Sequence, residues 1–141
     1  MALLIVFLDA SVILAGLASP QGGSSLLFTA AKKKKIKLIT TPLVINEVNR
    51  HLTKLRLKPK QLEELLDHQI VQLVSDPPEA LITRCRRLTP DQDDAHVLAG
   101  AVLSSAQFLL SLDKKHLVNS RVNQYLKPLQ VLTPKQFWQR L

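Results

Sequence analysis

Little in this chain could crosslink it. One cysteine, Cys85, stands among 141 residues. A disulfide framework and a cysteine-rich zinc site are therefore excluded, and a reducing cytoplasm fits. The neighbours Arg84, Arg86 and Arg87 would lower a thiol pKa, but the plainer expectation is a small helix residue. Glycine is also scarce, at four residues, which removes collagen-like and low-complexity readings. Aromatics make up 4% of the chain against 46% hydrophobic residues. The core must then be mainly Leu, Val, Ile and Ala, and few rings are available to stack on bases. Acids are outnumbered, 11 Asp and Glu against 19 Lys and Arg, for a net charge of +8. That excess points to a polyanionic partner, nucleic acid first, although charge alone does not make a site.

A long uninterrupted apolar run is also missing. Residues 1–18 come nearest, but no positive charge precedes them and Asp9 interrupts them. An Asp at the centre of a membrane helix costs roughly 2.5–3.5 kcal/mol. We therefore expect neither a signal peptide nor a transmembrane segment. The length suits one ordinary domain, 1–141, with a core that needs no crosslinks. No internal repeat or linker divides it.

What is present alternates regularly. Apolar runs at Leu3–Leu8, Ile36–Thr40, Ile70–Val74, Phe108–Leu112 and Leu129–Leu132 read as strands covered on both faces. Helical segments separate them: Ser11–Ala18, Ser25–Lys34, Pro42 to about Leu55, Gln61–Asp67, Glu79–Leu88, a helix opened by Thr89-Pro90-Asp91, Lys114–Asn119, Arg121–Leu126, and a last one capped by Thr133-Pro134. This alternation predicts an α/β fold, a three-layer α-β-α sandwich with a central, mostly parallel sheet.

The few acids fall at telling places. Asp9 follows the first strand and Asp113 the fourth, and open α/β sheets bind ligands at the carboxyl ends of their strands. Glu47 lies beside the apolar stripe Val44, Val48, Leu52, and Asp94 is in phase with Leu98 and Ala101, so both should face inward. Inward carboxylates are costly unless paired or metal-bound. Taken singly, each acid has a plain explanation: Asp91 and Asp94 as a capping pair, Asp9 and Asp113 as turn residues, or a partner Arg. Taken together, four acids so placed suggest an oxygen-rich site for Mg²⁺ or Mn²⁺.

These stretches resemble the PIN-domain ribonucleases. The resemblance is carried by Phe7-Leu8-Asp9-Ala10-Ser11, Asn46-Glu47-Val48, Asp93-Asp94-Ala95-His96-Val97 and Leu110-Ser111-Leu112-Asp113-Lys114-Lys115-His116, in that order along the whole chain. The closing Val131-Leu132-Thr133-Pro134-Lys135-Gln136-Phe137 is similar to the tail of one bacterial branch, the VapC-like toxins. The resemblance implies a PIN-like sheet with an acidic pocket. Its catalytic and metal-binding acids fall here on Asp9, Glu47, Asp94 and Asp113, supported by hydroxyls at Ser11 and Ser111. Asp91 and Asp93 crowd the third position, where helical phase selects Asp94. It further implies RNA as substrate, a cognate antitoxin protein, a homodimer and no membrane.

The expected chemistry is metal-assisted hydrolysis of an RNA phosphodiester, with Glu47 holding metal through water or orienting the nucleophile. Arg50, Lys54, Lys114 and Lys115 are the candidate RNA-binding residues, with Arg56 and Lys32 to Lys35 as further ones. That lysine run also fits a solvated helix C-terminus. His116 is close enough to Asp113 to contact substrate, but the plainer expectation for it, and more so for His96, is a surface histidine. A haloacid-dehalogenase phosphatase would need a second Asp where Ser11 stands, and a receiver domain does not align with Asp9, Asp113 and Lys114. The remaining alternative is a non-catalytic RNA- or protein-binding module on the same fold.

Overall fold

A computed structural model describes residues 3–141, except for the side chain of Gln92. The first two residues of the apolar N-terminal run lie outside it. Five strands form one sheet: β1 (Leu4–Leu8), β2 (Ile36–Thr40), β3 (Val71–Leu73), β4 (Phe108–Leu110) and β5 (Gln130–Leu132). Every pairing is parallel, and the order is β3-β2-β1-β4-β5. The connections are α1 (Ala10–Ala18) and α2 (Gly23–Lys32), then α3 (Pro42–Leu52) and α4 (Pro59–Asp67), then α5 (Glu79–Cys85) and α6 (Gln92–Leu103), then α7 (Ser120–Leu126); α8 (Pro134–Arg140) closes the chain.

Right-handed crossovers place α1–α4 on one face and α5–α7 on the other. The packing agrees, with α1 against α2 and α3, α5 against α6, and α6 and α7 on β4 and β5. The result is the expected three-layer sandwich. Val6, Phe7 and Leu8 of β1 are fully buried, as are Leu109 and Leu110 of β4, so the central strands are apolar on both faces. Burying one such side chain contributes about 1.5–3 kcal/mol. Gly100 lets α6 approach β1, since a Cβ there would stand 2.9 Å from the Phe7 ring.

Helix starts follow the sequence signals. Thr41 accepts from the Val44 N–H at 3.4 Å ahead of Pro42, and Thr133 forms a capping box with Gln136. Helix ends are less conventional. Lys34, Arg56, Gln69 and Ser105 adopt positive φ. Each is followed by a residue whose N–H returns to a carbonyl five positions back, as from Lys35 to Ala30 and from Ile70 to Leu65. These are Schellman turns, where glycine is the usual residue; the glycine-poor chain closes four of them without it.

Three expectations need correction. The segment Lys114–Asn119 is a turn rather than a helix. The Asp113 carboxylate takes the N–H groups of Lys115 and His116, and Asn119, in extended conformation, already caps α7. The fourth strand ends at Leu110, so Ser111 and Leu112 separate it from Asp113. His96 is buried at 8% exposure rather than on the surface. Residues 95–101 of α6 are buried all round, so the middle of this helix has no solvent face opposite Asp94.

Candidate metal centre

The strand order decides where a site can be. From β1 the chain winds outward through β2 to β3, then returns to the other side of β1 at β4. The carboxyl ends of β1 and β4 therefore flank the switch point, where doubly wound sheets bind ligands. The Asp9 N–H continues the ladder to the Leu110 carbonyl at 3.1 Å. A cavity of about 360 Å³ opens there, lined by Asp9, Glu47, Asp94 and Asp113. Ser11, Leu14, His51, Lys54 and Leu55 complete most of its wall.

Asp9 is the fixed point of the site. It is 6% exposed and caps α1, with Oδ1 accepting from the Ala10 N–H at 2.8 Å. Its Oδ2 accepts from Ser111 Oγ at 2.7 Å and Ser11 Oγ at 3.0 Å. Both hydroxyls also accept, Ser111 Oγ from the Asp113 N–H at 3.0 Å and Ser11 Oγ from the Leu112 N–H at 3.1 Å. The two serines thus tie the end of β1 to the segment after β4 and hold Asp9 and Asp113 in register. Burial pushes the Asp9 carboxyl above its ordinary range, against the pull of these hydrogen bonds.

The other acids arrive from three directions. Glu47 projects from α3, and burial, then the charge of Asp9, raises its pKa to about 7. Asp94 sits in the first turn of α6, and burial, then Asp113, raises its pKa to about 7. Asp113 is also penalised by burial, yet hydrogen bonds from the backbone and ring of His116 hold it below the usual carboxylate range. Of the three acids near the third position, Asp94 alone lines the cavity. Asp91 caps α6 through the Asp93 N–H at 2.9 Å, and both Asp91 and Asp93 are exposed.

This arrangement suits a divalent cation. The Asp94 Oδ2 atom is buried without a hydrogen-bond partner, which is costly unless something positive meets it. Donor atoms of Asp94, Asp113 and His116 lie within 4.8 Å of one another. Three carboxyls at one cavity are raised in pKa, first by burial and then by neighbouring acids, and a cation offsets both. The donor set, mostly carboxylate oxygen, fits Mg²⁺ or Mn²⁺.

The predicted cations divide. Lys54 lines the cavity. Arg50 is exposed on α3, Lys114 lines a separate groove with Leu112 and Trp138, and Lys115 is exposed, giving its N–H to Asp113. Lys32 to Lys35 lie at the end of α2 before β2, on the far edge of the sheet from the acids. They do not line this cavity. Sequence reasoning passed over His51, although it stands four residues after Glu47 and so shares its helical face. The Cys85 thiol is buried, and burial raises its pKa despite Arg84. It is the small buried helix residue of the plainer expectation.

The PIN domain family model matches residues 5–115, which contain all four acids. The chain belongs to the PIN-domain family. Solved structures show the same fold. PAE2754 from Pyrobaculum aerophilum is 18% identical with a TM-score of 0.65, covering 97% of this chain and 94% of its own. VapBC2 from Rickettsia felis, bound to a DNA fragment from its promoter, is 13% identical with a TM-score of 0.64, covering 91% and 97%. VapC20 of Mycobacterium tuberculosis, a sarcin-ricin loop cleaving toxin, is 14% identical with a TM-score of 0.58, covering 79% and 92%. Comparison with curated proteins finds no match. PIN-domain membership supports a nuclease role, and the acidic group is compatible with metal binding. Among the described residues, no helix is long and apolar enough to cross a membrane.

Proposed function

We propose that this PIN-domain protein is a metal-dependent ribonuclease that hydrolyses RNA phosphodiester bonds. The observation that carries the proposal is the cavity at the β1/β4 switch point, lined by four carboxylates, where one buried oxygen of Asp94 has no hydrogen-bond partner. Asp9, Asp94 and Asp113 would hold the cation, with Ser11 and Ser111 orienting Asp9. When bound, Mg²⁺ or Mn²⁺ supplies a water of lowered pKa and offsets charge on the scissile phosphate. Glu47, whose pKa is about 7, is placed to orient that water and to exchange a proton near neutral pH. Lys54 at the cavity wall holds a phosphate of the substrate backbone. The net charge of +8 supports a nucleic-acid substrate.

The same reading makes the chain the toxin of a toxin–antitoxin pair, a cytoplasmic homodimer blocked by a cognate antitoxin. Its support is the fold shared with VapBC2 and with VapC20, which is described as cleaving the sarcin-ricin loop. The direct experiment incubates the purified chain with RNA in Mg²⁺, Mn²⁺ or EDTA, beside the Asp9→Asn variant. Cleavage that needs the cation and is lost in the variant is expected. Full activity in EDTA or in the variant would refute the proposal. Folded protein that binds RNA but never cleaves it would favour the non-catalytic module.

A further inference from the structure

The group of donor atoms gathered within metal-binding distance at this site is not four carboxylates. It comprises atoms of Asp94, Asp113 and His116. His116 reaches the site because Asp113 draws the chain into a tight turn, accepting the His116 N–H at 3.0 Å while the ring folds back. His116 Nδ1 then stands 3.2 Å from Asp113 Oδ2 and 3.6 Å from Asp94 Oδ2. Ligands at adjacent corners of an octahedron with bonds of about 2.1 Å lie about 3 Å apart. The two His116 contacts are near that spacing, and all three donor atoms fall within 4.8 Å of one another, close enough to converge on one ion.

Hydrogen bonding alone does not account for the trio. A neutral ring has one proton to give at Nδ1, and the contact with Asp113 uses it. Asp94 Oδ2, facing the same nitrogen, is left buried and without a partner. With the ring proton on Nε2 instead, a cation at the common focus would meet Asp94, Asp113 and the Nδ1 lone pair together. On the far wall, Asp9 Oδ2 already accepts from two serines.

We propose that His116 is a direct nitrogen ligand of the bound cation, and that it biases this site toward Mn²⁺ over Mg²⁺. Mn²⁺ shares the oxygen preference of Mg²⁺ but, as a transition ion, accepts an imidazole more readily, whereas Mg²⁺ demands oxygen donors and retained water. The inference rests on the metal-dependent reading of the cavity and specifies which ion that cavity selects.

The test uses the full chain with Mn²⁺ alone. Electron spin-echo envelope modulation on bound Mn²⁺ detects a directly bonded imidazole through its nitrogen hyperfine coupling. The coupling is expected in the unmodified protein, lost in His116→Gln and retained in His51→Gln, which removes the histidine that lines the cavity. By calorimetric titration, His116→Gln should weaken Mn²⁺ binding by about tenfold or more, and Mg²⁺ binding by a smaller factor. Absence of nitrogen coupling in the unmodified protein overturns the proposal without reference to any variant. Coupling that survives in His116→Gln, or equal weakening of both cations, also overturns it. Failure of the wider reading looks different: Mn²⁺ would not bind at all, or would bind unchanged after Asp94→Asn and Asp113→Asn. Mn²⁺ held by the acids without nitrogen coupling removes only the role of His116.

Discussion

The two edges of the parallel sheet carry opposite charge and behave differently. At the carboxyl edge, acids crowd a cavity of about 360 Å³. At the amino edge, Lys32, Lys34 and Lys37 line a groove of about 870 Å³ with Glu64, Asp67 and His68. Lys32 and Lys34 are exposed to water, whereas Asp9 is buried and Asp94 has a partnerless oxygen. The polarity follows from the topology. Parallel strands joined by helices send α1 and α6 away from the carboxyl edge, so their positive N-terminal ends meet Asp9 and Asp94. The α2 helix delivers its negative C-terminal end, and its lysines, to the amino edge. One rule places both sets of charges, and burial sets them apart.

The largest test of this contrast is at the carboxyl edge. Asp113→Asn should lower RNA cleavage by more than about a hundredfold, since metal ligands matter at least as much as the groups that orient them. Circular dichroism should show the fold retained. Cleavage within a few-fold of the unmodified rate would mean the acids are not the working part.

The second test is pH. Glu47 and Asp94 have pKa values raised to about 7 from ordinary values of 4.5 and 3.8. A raised carboxyl favours the proton in the folded state. Its stabilising contribution is present below the ordinary value and is lost as pH climbs through about 7. Metal-free protein should therefore melt at a lower temperature at pH 8 than at pH 5.5. Added Mn²⁺ should raise the midpoint more at pH 8, where the carboxylates are charged. A midpoint that rises from pH 5.5 to 8 without metal would contradict the assigned shifts.

Smaller effects separate the basic residues. Lys54→Ala should weaken binding of an RNA oligonucleotide several-fold and reduce its salt slope by about 0.7. Lys34→Gly should leave both unchanged, because Lys34 lies on the amino edge. An equal loss from the two variants would erase the distinction between edges. Lys34→Gly should also stabilise the protein by about 0.5–1 kcal/mol, since Lys34 is held at φ 56° where glycine is unstrained. Denaturant unfolding measures that gain.

Much of this was legible along the chain. All five strands were expected near their observed positions, and Thr41-Pro42 and Thr133-Pro134 start helices as their residue types require. Helical phase selected Asp94, but for an incomplete reason. It presumes one solvent-facing side, and α6 is buried all round from 95 to 101. What separates Asp94 from Asp91 and Asp93 is that Asp91 caps the helix and Asp94 faces the cavity. His96 was misplaced for the same reason. His116 was undervalued because its approach to Asp113 and Asp94 depends on a turn closed by the Asp113 side chain, which apolar periodicity does not register.

The sequence by itself determined most of the elements, their alternation, the attachment of Asp9 to β1 and the place of Asp113 just beyond β4. Those features depend on local propensity and on the period of apolar residues. Only the tertiary structure decided that β4 returns beside β1 rather than beyond β3. Strand neighbours are chosen by packing among distant segments, not by any local pattern. That choice brings Asp9 and Asp113 to one cavity, joins them through Ser11 and Ser111, and leaves Asp94 Oδ2 facing the His116 ring.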